Sequence, residues 1–162
     1  MTVIDSPVRV TTRSAALVRA TALAAGVIGL DQLTKHTLAA GVDPGQQQAF
    51  LPGIQLVHVR NTGVAFGFLS GGGTLVLVFT LGALALLVGY FVLHPERRGL
   101  WVPTGLLLGG ALGNLIDRLA TGAVTDFIKL PLWPAFNVAD MAITFGVFAL
   151  LYVLEGKRGD GR

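Results

Sequence analysis

No cysteine occurs anywhere in the 162 residues. Disulfides, thiol nucleophiles and cysteine-ligated metals are therefore excluded. Charge is scarce as well: 13% of the residues are Asp, Glu, Lys or Arg, roughly half the share usual in a soluble domain. The histidines are scattered at His36, His58 and His94 and no H-E-x-x-H pair exists, so a zinc hydrolase lacks its ligands. Serine stands only at Ser6, Ser14 and Ser70, and Ser70 opens a glycine run without the G-x-S-x-G elbow of a serine hydrolase. A P-loop is absent too. A soluble helical bundle is excluded by the shortage of polar faces.

What the chain has instead is apolar length. Hydrophobic residues make up 52% of it, and mean hydropathy is +0.69. A bilayer core needs about 20 apolar residues in a helix. Four segments meet this, at 17–39, 74–93, 100–119 and 136–154. The second carries no charge. The first has Arg19 near its start, Asp31 and Lys35 near its end, and an "ALAAG" stretch like a signal-peptide cleavage site. Because apolar character resumes past Gly26, a span is the better reading. The chain is expected to be an all-α membrane protein, one domain over 1–162 and a monomer: a four-transmembrane-helix bundle with a small extracytoplasmic β-cradle. The charged tails at 1–14 and 156–162 read as disordered.

Basic residues flank the spans rather than forming a patch, which argues against a nucleic-acid partner. Arg9, Arg13, Arg19, Arg97, Arg98, Lys157, Arg158 and Arg162 fall on one side; Lys35, Arg60, Arg118 and Lys129 fall on the other. The positive-inside rule then puts both termini in the cytoplasm, with outer loops at about 40–73 and 120–135. Gly105, Gly109 and Gly113 recur every four residues in span three, the spacing that lets helix backbones approach closely in lipid. In the first outer loop, a β-rich segment at about 50–69 is expected. "IQLVHVRN" (54–61) alternates like a strand, with Ile54, Leu56, His58 and Arg60 on one face; "NTG" (61–63) reads as a tight turn, and "VAFGFL" (64–69) as a second strand.

Polar side chains inside spans are costly, and here they gather at the outer ends. Asp31 and Lys35 sit in span one, Asn114, Asp117 and Arg118 in span three, Asn137 and Asp140 in span four, and Asp126 just beyond span three. Asp31 and Lys35 are spaced to pair on one helix face. Asn114, Asp117 and Arg118 share a face, as do Asn137, Asp140 and Thr144. A bland role exists for two of them: Asn137 as a helix N-cap and Asp140 as a first-turn acid favouring the helix dipole. Eight polar residues converging from three helices and a loop favour a functional site. Two carboxylates held together cannot both ionise cheaply; one keeps a proton while the other stays basic. One then deprotonates water while its partner donates a proton, which is peptide hydrolysis without metal, cofactor or covalent intermediate. Asp126 and Asp140 suit these roles. Asp31 and Asp117 remain rivals, although basic neighbours Lys35 and Arg118 favour them as charged structural partners. The competing class is a non-enzymatic membrane transporter or assembly factor with an ion-binding polar cluster. A presenilin-type protease is weakened by the absence of G-x-G-D.

Four blocks of this sequence resemble, in order, those of the bacterial lipoprotein signal peptidases, or signal peptidase II. They are "DQLTK" (31–35), "RNTGVAFG" (60–67, with Val64 where alanine is usual), "GGALGNLIDRLATGAVTDFI" (109–128) and "FNVADMAI" (136–143). The stretch "KLPLWPA" (129–135) matches least. The resemblance implies a metal-independent aspartic endopeptidase of the cytoplasmic membrane. Such an enzyme cleaves signal peptides from prolipoproteins before a diacylglyceryl-modified cysteine and is inhibited by globomycin. It puts the catalytic pair on Asp126 and Asp140 and the supporting positions on Asp31, Lys35, Asn61, Gly63, Asn114, Arg118 and Asn137. It also implies four membrane helices, an outer β-cradle and contact with membrane lipid.

Overall fold

A computed structural model of the chain describes residues 7–39, 41–63, 72–94 and 97–156. In chain order these form α1 (Pro7–Thr34), running into a π-helical turn (Lys35–Ala39), then β1 (Gln47–Leu51), β2 (Ile54–Asn61), α2 (Gly72–Leu93), α3 (Trp101–Thr121), β3 (Val124–Lys129) and α4 (Val138–Glu155). Among the described residues the fold is mostly helical, with one small sheet. Over Arg13–Leu38 and Val138–Glu155 the helices are long and apolar enough to cross a membrane, and Val78–Leu93 adds a shorter apolar stretch.

Helix α3 is the inner member, packed between α1 and α4, with α2 resting more lightly on it. Glycine makes this possible. A Cβ at Gly105 would stand 2.9 Å from the Ala20 carbonyl oxygen, and one at Gly109 would stand 2.7 Å from Val27 Cβ. On the other side of α3, a Cβ at Gly110 would meet the Ala139 carbonyl oxygen at 2.5 Å, while Gly146 of α4 receives Leu107. Two backbones thus approach α3 closely, the arrangement that small residues four apart permit where no hydrophobic effect separates helix from lipid. The apolar side chains turned outward, among them Phe79, Leu86, Phe145 and Phe148, are exposed.

The sheet is antiparallel in the order β1-β2-β3. Strand β2 lies where the alternation of 54–61 puts it, but a register shift between Leu56 and Val59 interrupts the two-faced pattern, and Val57 alone in the strand is buried. The second strand expected at 64–69 lies outside the described residues. Among the described residues β2 pairs with β1 and with β3, and β3 was expected to be plain loop. Six residues suffice because β3 adds an edge to a strand already in place, Val59 pairing with Asp126 and Asn61 with Val124.

Residues 7–14, expected to be disordered, are helical. Extending an existing helix adds one hydrogen bond per residue fixed, far cheaper than nucleation, and proline suits a first helical position. The remaining tail residues, 1–6 and 157–162, lie outside the described residues.

Candidate active site

Three local stops bring the polar residues together. Gly122 closes α3 in the left-handed conformation (φ 77°), its N–H donating to the Arg118 carbonyl. This is a conformation glycine adopts without penalty, and it turns the chain into β3. Beyond β3 the chain folds straight back: the Ile128 N–H donates to the Phe136 carbonyl, and the Phe136 N–H to the Ile128 carbonyl, both at 2.9 Å. That return sets Asn137, the N-cap of α4, against Asp126. Asn137 Oδ1 accepts from the Asp140 N–H at 2.9 Å, while Asp140 Oδ2 accepts from the Asn137 N–H at 3.3 Å. The expected bland role, a capped helix start, is therefore real, and it is also what holds Asp140 in place.

Asn137 touches both carboxylates. Its Nδ2 donates to Asp126 Oδ1 at 2.7 Å and to Asn114 Oδ1 at 3.1 Å. Asn114 Nδ2 in turn donates to Asp140 Oδ1 at 2.8 Å. The second oxygen of Asp126 accepts from Asn61 Nδ2 at 3.0 Å. Asn61 reaches it diagonally across the β2–β3 ladder, two residues past Val59, the direct partner of Asp126. Its amide is oriented by Gly63, whose N–H donates to Asn61 Oδ1 at 2.9 Å from a φ of 78° that favours glycine. Asp126 is 2% exposed, whereas Asp140 is half-buried. Burial pushes the Asp126 carboxyl up from 3.8 to about 6; hydrogen bonds from Asn61 and Asn137 and the nearby Lys35 charge oppose this, and the charge of Asp140 reinforces it.

Beneath the pair lies one buried ammonium. Lys35 Nζ bonds Asp31 Oδ2 at 2.7 Å, Asp117 Oδ2 at 2.9 Å and Asn114 Oδ1 at 3.0 Å. Because Asn114 Oδ1 takes donors from both Lys35 and Asn137, its Nδ2 is left to face Asp140. Asp31 is fully buried and its Oδ1 accepts from the Ala139 N–H at 2.9 Å, tying α1 to the first turn of α4. Asp117 Oδ2 also accepts from the Thr125 N–H at 3.0 Å, one residue before Asp126. The two rival carboxylates thus both answer to Lys35.

Arg118 is the exception. It is half-buried and among the described residues joins no ion pair. Adjacent positions on a helix diverge by about 100°, so Asp117 turns to Lys35 and not to its neighbour. Sequence reasoning also missed Gln32, whose Nε2 bonds Asp117 Oδ1 (3.0 Å), the Gly113 carbonyl (3.2 Å) and Asp31 Oδ2 (3.3 Å). No spacing rule singles it out.

The profile of the Signal peptidase (SPase) II family matches residues 23–155, a span that holds every residue of this network. The chain belongs to the signal peptidase II family. A protein of Moorella thermoacetica named "Lipoprotein signal peptidase" is 42% identical over 140 residues, covering 85% of this chain and 93% of that one. Another of the same name from Pseudoalteromonas atlantica is 43% identical over 138 residues, covering 80% and 84%. Among solved structures, a bacterial membrane enzyme determined by the in meso method at 1.9 Å resolution is 35% identical with a TM-score of 0.76, covering 83% of this chain and 91% of that one. A second, determined at 2.3 Å, is 33% identical with a TM-score of 0.77, covering 88% and 91%. This chain is accordingly a peptidase of the membrane.

Proposed function

We propose that this chain removes the signal peptide of diacylglyceryl-modified prolipoproteins, cutting before the lipidated cysteine, with Asp126 and Asp140 as its catalytic pair. The observation that carries this reading is the shared asparagine: Asn137 is hydrogen-bonded to both carboxylates at once. Asp126 is assigned the proton-donor role, because burial pushes its carboxyl up to about 6 and so enlarges its protonated fraction. Asp140, the more accessible, takes a proton from the attacking water. The water oxygen adds to the scissile carbonyl carbon while Asp126 protonates the carbonyl oxygen. On collapse one hydroxyl of the gem-diol returns its proton to Asp126, the C–N bond breaks, and the departing amine takes the proton held by Asp140.

Around the pair, Asn61, Gly63, Asn114 and Asn137 position the carboxylates, and Asp31 and Lys35 hold three helices at fixed spacing. The topology is four spans with both termini cytoplasmic and the pair near the extracytoplasmic face. There a signal helix and diacylglyceryl chains, both apolar, can enter sideways from the bilayer. A working monomer and sensitivity to globomycin are expected. The test is a mass spectrum of products from a purified prolipoprotein with and without its diacylglyceryl group. Cleavage before the cysteine of the lipidated form, unchanged by a chelator, is the expected result. Equal cleavage of the unmodified form, or loss of activity with chelator, would overturn the proposal.

A further inference from the structure

The end of the helical bundle opposite the carboxylates carries a second polar feature that the peptidase reaction does not use. From Trp101 at the start of α3 to Asp117 near its end is about 24 Å of helix. At the Trp101 end, a turn between α2 and α3 fixes Arg97. Its N–H donates to the His94 carbonyl at 3.1 Å, its carbonyl accepts from the Leu100 N–H at 3.4 Å, and Gly99 completes the turn at φ 82°. The guanidinium lies over the ring of Tyr90, 5.4 Å from its centroid, and the same ring stacks on His94 at 4.2 Å.

Nε and Nη1 of Arg97 are shielded from solvent and have no hydrogen-bond partner among the described residues. Guanidinium N–H groups stay charged at every physiological pH. Buried donors of this kind are rarely left without an acceptor, and each calls for a physical explanation, a missing ion among them. A cation–π contact satisfies the face of the guanidinium but accepts none of its N–H groups.

Other cations lie at this end of the bundle. Arg19 lies 6.0 Å from the centroid of the Trp101 ring. Trp101 and Tyr90 pack on one apolar cluster, built around Ala20, Phe91 and Leu100. Arg13 donates to the Val92 carbonyl in the last turns of α2 at 3.4 Å, and Arg98 follows Arg97, exposed. Leu93, the last residue of α2, is exposed and apolar. An occupant of this place must therefore offer anionic oxygens to the arginines and an apolar body to the flank of α2. A soluble anion supplies only the first. Basic pockets between membrane helices are suited to phospholipid headgroups.

We infer that Arg97, with Arg13, Arg19 and Arg98, forms a binding site for the phosphate of an anionic phospholipid in the leaflet opposite the active site. The phosphate is met by the exposed arginines and draws the Arg97 side chain outward from the Tyr90 ring, so that Nε and Nη1, shielded and unpartnered without lipid, gain acceptors; the acyl chains lie along α2. Arginine is suited to this by its fixed, planar set of donors.

The experiment is native mass spectrometry of the full chain in detergent. It is titrated with phosphatidylglycerol, with phosphatidylcholine of the same acyl chains, and with phosphatidylglycerol in excess inorganic phosphate. Wild type is expected to retain phosphatidylglycerol about tenfold more tightly than phosphatidylcholine. Arg97→Gln should abolish that preference, Arg97→Lys should keep part of it, and inorganic phosphate should not compete. Peptidase activity in detergent reports that both variants are folded, since Arg97 is remote from the carboxylates. An unchanged preference in Arg97→Gln, equal retention of the two lipids, or displacement by inorganic phosphate would each overturn the inference. If Arg97→Gln proves unfolded, Arg19→Gln is measured in its place, with a weaker preference expected and an unchanged one counting against the site.

Discussion

At the scale of single residues, the site is a trade between stability and chemistry. Asp126 binds its proton more tightly in the fold, where its pKa is about 6, than in the unfolded chain, near 3.8. Its contribution favours the fold at low pH and is lost as pH rises through that window, by about 3 kcal/mol in all. Asp126→Asn removes this titration. The difference in thermal midpoint, variant minus wild type in detergent, is therefore expected to rise between about pH 4 and pH 7; a flat or falling difference would contradict the burial argument. How legible the site was varies with how local its contacts are. Asp31 and Lys35 pair as their spacing indicates, and Asn137 caps α4, because both relations lie within one helix or its first turn. Asp117 with Lys35, and Asn61 with Asp126, join positions 82 and 65 residues apart, which no periodicity reports. Asp117 pairs with Lys35 rather than with its sequence neighbour Arg118, because adjacent positions on a helix point in different directions.

At the scale of elements, helices were legible and β3 was not. A helix announces itself over 18 or more residues of apolar composition, and its ends by Asn137 and Gly122. Strand β3 is six residues long, and its partner lies some 65 residues upstream, so only the sheet reveals it. Its position matters, since Asp126 is at its centre. The helix packing makes a sharper claim. Gly109→Ala places a methyl group 2.7 Å from Val27 Cβ and 2.9 Å from the Ala24 carbonyl oxygen, so α1 and α3 must separate. A loss of about 1–3 kcal/mol is expected, read as a lower thermal midpoint. Gly82→Ala in α2, where nothing lies within 4 Å, is the control and should leave stability unchanged or slightly raised. Equal behaviour of the two variants would contradict the close approach.

At the scale of the whole molecule, the two ends of the bundle differ in kind. One holds the carboxylates, the asparagines and the sheet; the other holds arginines and the rings of Tyr90 and Trp101. This polarity follows from the sequence through the positive-inside rule, and it sets the proposed orientation. Topology reporters fused near Gly45 and near Arg97 are expected to report opposite sides of the membrane, and a shared side would contradict the four-span arrangement. The central claim, that Asp126 and Asp140 act as one unit, is tested most directly by kcat/KM toward a lipidated prolipoprotein for Asp126→Asn, Asp140→Asn and the double variant. Each single variant is expected to lose at least about a thousandfold, and the double variant no more than the worse single one, since groups acting as a unit are grossly non-additive. Near-normal activity in either single variant, or losses that multiply in the double variant, would show that the two aspartates are not a catalytic pair.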